Sequence, residues 1–108
     1  MAYLGEFEQL VLLAVLRLGE GAYGMLIHQE LQDTAGRRTS LGAIYTTLER
    51  LEEKGLIQSS IGEVTPERGG KAKKYFRVNA AGIRLLKEAL NSTASMKAGL
   101  EPILGGRQ

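Results

Sequence analysis

The chain has 108 residues, 44% hydrophobic and 24% charged, with 14 glycines, one histidine and no cysteine. A domain of this length buries roughly two-thirds of the surface its unfolded chain exposes, which leaves room for one modest core. The missing cysteine excludes disulfides, thiolate metal sites and a cysteine nucleophile. The longest apolar run, Leu10 to Leu16, falls far short of a membrane span, and the N-terminus has no basic region or cleavage signature. A cytoplasmic setting with no membrane partner is therefore expected. The formal net charge is only +2, but it is unevenly spread. Residues 1–36 carry Glu6, Glu8, Glu20, Glu30 and Asp33 against Arg17 alone, whereas residues 68–77 hold Arg68, Lys71, Lys73, Lys74 and Arg77 with no acid.

Between Leu4 and Leu18 the apolar positions Leu4, Phe7, Val11, Ala14, Val15 and Leu18 recur at helical spacing, and Leu10, Leu12, Leu13 and Leu16 widen the stripe, so this helix is expected to be mostly buried. Gly19-Glu20-Gly21 breaks it. A second, short helix is expected from about Tyr23 to Thr34, with Tyr23, Ile27 and Leu31 four apart and Gly36 ending it. Thr39 and Ser40 are N-cap candidates for a third helix, in which Leu41, Ile44, Leu48 and Leu51 form the buried stripe before Gly55. That stripe assigns Gly42, Ala43, Thr46, Thr47 and Arg50 to the opposite face. Beyond Gly55 the period changes to two. Ile57, Ser59 and Ile61 mark one strand, Phe76 and Val78 a second, and the long tip from Gly62 to Ala72 contains Pro66, Gly69 and Gly70. Asn79 is expected to cap a fourth helix reaching Pro102. That helix has two apolar stripes, one through Ile83, Leu86, Leu90 and Thr93 and one through Leu85, Ala89, Met96 and Leu100.

These elements predict an α+β, mainly α fold: a winged helix-turn-helix of three helices and a two-stranded wing over residues 1–79, a C-terminal dimerisation helix over 80–102 and a flexible tail over 103–108. Three helices followed by a hairpin with a basic tip is the order in which a third helix enters the DNA major groove and a wing reaches the flanking backbone. The groove, about 12 Å wide, admits a helix whose outward side chains are slim. Gly42, Ala43, Thr46 and Thr47 meet that requirement, with Arg37 and Arg38 just ahead of the helix, Thr39 and Ser40 at its N-terminus and Arg50 further along. Arg68, Lys71, Lys73 and Lys74 are the wing cations that would meet phosphates. Two stripes on the last helix exceed what one small core can cover, so Leu86, Leu90, Thr93 and Met96 are expected in a homodimer contact. No catalytic, cofactor or metal site is expected. His28 stands alone and decorates the second helix, Glu49, Glu52 and Glu53 read as solvated partners of Arg50 and Lys54, and Gly69-Gly70 lacks the following helix of a phosphate loop. A protein-interaction module on the same winged fold, without direct DNA readout, is the alternative.

The run from Ser40 to Ile57 (SLGAIYTTLERLEEKGLI), the segment Glu67 to Val78 (ERGGKAKKYFRV), the opening Glu8 to Leu16 (EQLVLLAVL) and Tyr23 to Ile27 (YGMLI) resemble the PadR family of bacterial transcriptional regulators across roughly residues 4–90. The resemblance implies a homodimeric winged-helix repressor that dimerises through its C-terminal helix. It also implies relief of repression by a small, frequently aromatic effector bound near the dimer interface. By the same resemblance Tyr45 sits in the recognition helix beside the DNA backbone or at the wing base. With one helix after the wing, the chain resembles the short-tailed branch of the family. Residues 80–108 contain no aromatic side chain, so the identity of an effector does not carry over.

Overall fold

The computed structural model describes residues 3–62 and 72–105. Helix α1 (Glu6–Leu18) starts at Gly5, whose amide donates to the Glu8 carboxylate at 2.8 Å, so one side chain satisfies the first orphan donor of the helix. A 3-10 turn over Gly19–Gly21 follows and leads into α2 (Gly24–Ala35). Gly36 ends α2 at φ 63, in the left-handed region that glycine enters without penalty, while the Arg37 amide donates to the Leu31 carbonyl. Helix α3 (Leu41–Glu53) is capped by Ser40, whose hydroxyl oxygen accepts from the Ala43 amide at 3.0 Å. Strands β1 (Ile57–Ile61) and β2 (Lys74–Val78) pair antiparallel, with Ile57 opposite Val78 and Ile61 opposite Lys74. Tyr23 bridges to Tyr75 on the far side of β2, and the Phe76 amide donates to the Ala22 carbonyl, so the base of the wing is sewn to the entry of α2.

Helix α4 (Ala80–Lys97) begins where Asn79 works in two directions: its Oδ1 accepts from the Gly82 amide at 2.9 Å and its Nδ2 donates to the Gly55 carbonyl at 2.8 Å. This anchors α4 to the turn between α3 and β1. The core lies where the helices and the wing base meet, built from Val11, Leu12 and Val15 of α1, Ile27 and Leu31 of α2, and Ile44, Leu48 and Leu51 of α3; Ile57, Phe76 and Val78 of the strands close it, with Leu86 of α4. Only the first half of α4 touches that core. The rest projects, which explains dimensions of 54 × 30 × 21 Å and a radius of gyration of 15.7 Å, above the roughly 13 Å of a compact domain of this length.

Two expectations about the C-terminal part need correction. The fourth helix ends at Lys97, not near Pro102, because Gly99 takes φ 87 and turns the chain; Pro102 then sits in the first turn of a short helix α5 (Glu101–Leu104), where its missing N–H costs nothing. Ile103 and Leu104 are thus helical rather than part of a tail. Leu86, expected in a dimer contact, is buried in its own protomer's core because the first two turns of α4 pack on α1 and β2.

Candidate nucleic-acid interface

Helix α3 packs through Ile44, Thr47, Leu48 and Leu51. Thr47 is only 3% exposed, so it is not on the outward face where the sequence reading put it. Thr47 stands three residues from Ile44 and four from Leu51, which sets it within the buried arc of a helix held on two sides. The outward stripe instead runs through Gly42, Thr46, Glu49 and Glu53, all exposed, at spacings of four, three and four. Ala43, Tyr45 and Arg50 flank it. The Tyr45 ring reaches across to α2, with its hydroxyl against Gly24; a Cβ on Gly24 would collide with it. Gly24 is therefore a close-approach glycine, and it lets the hydroxyl end of Tyr45 pack against the first turn of α2.

The approach to α3 is rigidly held. His28, on α2, donates from Nε2 to the Thr39 carbonyl at 2.8 Å, so the single histidine fixes the turn ahead of the helix. Arg37 pairs with Glu6 at 2.5 Å and lies 5.8 Å over the Phe7 ring. This contact holds the Glu6 carboxyl below the usual carboxylate range and pushes the Arg37 guanidinium up. Arg38 is exposed and has no partner among the described residues. Ser40 uses an oxygen lone pair for its cap and keeps its hydroxyl proton to donate.

The acids of α3 do not pair with its bases. At the four-residue spacing like stands opposite like, Glu49 with Glu53 and Arg50 with Lys54 at the C-cap, and Arg50, three residues before Glu53, makes no ion pair with it. Arg50 and Lys54 reach instead to Glu8 of α1, each at 2.9 Å, and Glu52 accepts from the Ser59 hydroxyl at 2.7 Å. Glu8 is buried, and burial alone would raise its pKa; Lys54, the Gly5 amide and Arg50 outweigh that and hold the carboxyl below its ordinary range. Sequence reading missed this hub because its partners lie more than forty positions away. The faint signal was an acid, Glu8, inside an otherwise apolar stripe.

A carboxyl with a lowered folded-state pKa adds stability that is complete above its unfolded pKa and is lost as pH falls through the folded one. Wild-type stability should therefore fall from roughly pH 5 downwards, and Glu8→Gln should flatten that limb while losing about 2 kcal/mol at neutral pH. Denaturant midpoints measured across the acid range read both effects. Gln keeps an oxygen for the Gly5 amide, so an unchanged acid limb would mean that the charge itself contributes nothing.

On the wing, Lys73 sits 3.7 Å over the Tyr23 ring, which meets the Tyr75 ring edge-on at 5.7 Å between centroids; Lys74 is exposed. The cation of Lys73 is thus steered by an aromatic face before any ligand arrives. Arg68 and Lys71 lie outside the described residues. Among the described residues no group of His, Asp and Glu could hold a metal ion, and no helix is long and apolar enough to cross a membrane.

Two packed helices, the second capped and small-faced at its N-terminal half, followed by an antiparallel hairpin sewn to the first, define a winged helix-turn-helix protein. The chain belongs to the transcriptional regulator PadR-like family, which matches residues 12–88. Similar solved structures include a PadR family transcriptional regulator from Eggerthella lenta, 29% identical with a TM-score of 0.70, covering 94% of this chain and 88% of that one. A PadR-like transcription factor from Bacteroides fragilis is 26% identical with a TM-score of 0.71, covering 90% and 88%. An uncharacterized protein of Lysinibacillus sphaericus is 27% identical over 104 residues, 94% of this chain and 91% of that one. The family is one of transcriptional regulators and not of enzymes.

Proposed function

We propose that the chain is a cytoplasmic, sequence-specific DNA-binding repressor acting as a homodimer. The observation that carries this reading is the N-terminal half of α3, where Gly42, Ala43 and Thr46 leave a slim face beside the exposed Arg38 and the Ser40 hydroxyl. Such a face fits the major groove, with hydroxyl and methyl groups for base edges and donors for phosphate. Lys74, and Arg68 and Lys71 of the tip, supply phosphate contacts, and Tyr45 serves the backbone from the flank of α3. Leu90, Thr93 and Met96 of the projecting α4 supply the dimer contact.

Repression is relieved by a small effector. The groove between the N-terminal segment and α4, lined by Tyr3, Leu4, Gln9, Leu85, Ala89 and Thr93, is suited to that role. Lys54 ties it to the reading helix, donating to the Tyr3 carbonyl at 2.7 Å and to Glu8.

Selection from a randomised duplex pool tests the reading. Thr46→Ala should relax preference at one base position by about 1 kcal/mol, while Thr47→Ala, a buried change, should lower stability and leave the preferred site intact. Lys74→Ala should reduce the slope of log K against log salt by about 0.9, equally on operator and random DNA. Tight, salt-insensitive binding of a protein in place of DNA would favour the interaction-module reading.

A further inference from the structure

The outward stripe of α3 changes character halfway along. Gly42 and Thr46 are followed by Glu49 and Glu53, two exposed carboxylates with no hydrogen-bond or ion-pair partner among the described residues. The cations that could neutralise them, Arg50 and Lys54, are drawn off to the buried Glu8. Glu49 lies one turn beyond Thr46, and its neighbour one turn further on is another acid. No cation among the described residues neutralises Glu49, so it stands in water on the face that α3 presents outward.

We propose that Glu49 is a specificity-determining residue that accepts a hydrogen bond from the N4 amine of a cytosine in the major groove. The inference rests on the reading of α3 as the DNA-contacting helix. A carboxylate is repelled by the phosphates on both walls of the groove, so it is tolerated only near the floor, opposite a base-edge donor. Two bases carry such a donor there. Adenine sets the N7 acceptor beside its N6 amine, which opposes a second carboxylate oxygen; cytosine N4 has no neighbouring acceptor on its own edge. Cytosine is therefore the favoured partner, and every register that lacks it leaves the charge unpaired. Glu49 thus supplies both an attraction to one base and a penalty against the rest, and it weakens binding to random DNA.

The test uses the full chain, wild type and with Glu49→Gln or Glu49→Ala, in selection from a randomised duplex pool, with affinity for a random duplex measured alongside. Both substitutions are at an exposed site, and far-UV circular dichroism verifies the fold. Wild type should enrich a site with one C·G pair preferred by about tenfold at the position Glu49 reads. Glu49→Ala should lose preference there alone, and Glu49→Gln should shift it toward adenine, whose N6 and N7 match a carboxamide. Both should bind random duplex more tightly, by about threefold at low salt. A wild-type site that Glu49→Gln and Glu49→Ala leave unchanged overturns the inference alone. A wild-type chain that enriches no sequence overturns the DNA reading and this inference with it.

Discussion

Leu90→Asp is expected to turn the proposed dimer into monomers and to abolish tight operator binding. Helix α4 leaves the core after Ala89 and carries apolar side chains that its own protomer does not cover. Leu90 is half-exposed, Met96 is 79% exposed, and Leu100 and, in α5, Ile103 and Leu104 are exposed as well. A second copy across a twofold axis is the covering that makes the same patch serve both partners. An aspartate at the centre of that contact is a buried charge without a partner, costing about 3 kcal/mol in each protomer, so dimerisation should weaken about ten-thousandfold. Light scattering at micromolar concentration measures the change, and operator affinity should fall with it because a monomer reaches one half-site. A Leu90→Asp protein that remains dimeric would place the contact elsewhere. Leu86 is not an equivalent probe, since an acid there would unfold the protomer.

Gly82→Ala should be the most destabilising glycine-to-alanine change among the described residues. Gly82 lies in the first turn of α4 against the turn leaving α3, where a Cβ would strike the Leu56 carbonyl oxygen and stand 2.7 Å from Cγ1 of Val78. The first obstacle is backbone, and that backbone is pinned: the Leu56 carbonyl accepts from the Asn79 amide, and Asn79 holds Gly55. Relief requires α4 to lift from the wing base, at about 3 kcal/mol, which for a domain of this size lowers the melting temperature by roughly 15 °C. Because α4 also carries the proposed dimer contact, the same variant should dissociate more readily in gel filtration. Normal melting would show that the turn yields without cost.

The elements were legible in the sequence because each has local punctuation. Ser40 and Asn79 cap the helices they were expected to cap, Gly36 ends α2, and the alternation of Ile57, Ser59 and Ile61 marks β1 with its observed ends. The site was legible in part. Gly42, Ala43 and Thr46 follow from a single stripe through Ile44, Leu48 and Leu51, but Thr47 lies at its margin, and only contact with neighbours decides on which side a marginal position falls. The sequence also shows a long amphipathic final segment; it does not show that Gly99 divides it, since a glycine near a helix end reads as fraying or as a turn alike.

What the sequence determined by itself is whatever depends on neighbours within about four residues: the order of helices and strands, their caps, the slim half-face of α3 and the cationic wing. Family membership follows from the same runs. Tertiary structure alone decided how the charges are spent. Arg37 goes to Glu6, Arg50 and Lys54 go to Glu8, Lys73 goes to the face of Tyr23, and Arg38, Glu49 and Glu53 are left outward without a partner among the described residues. The reason is physical. A long cationic side chain can choose among acids near in space whatever their sequence distance, and for Arg50 and Lys54 the buried Glu8 carboxylate outcompetes the exposed acids beside them in α3, which water already solvates.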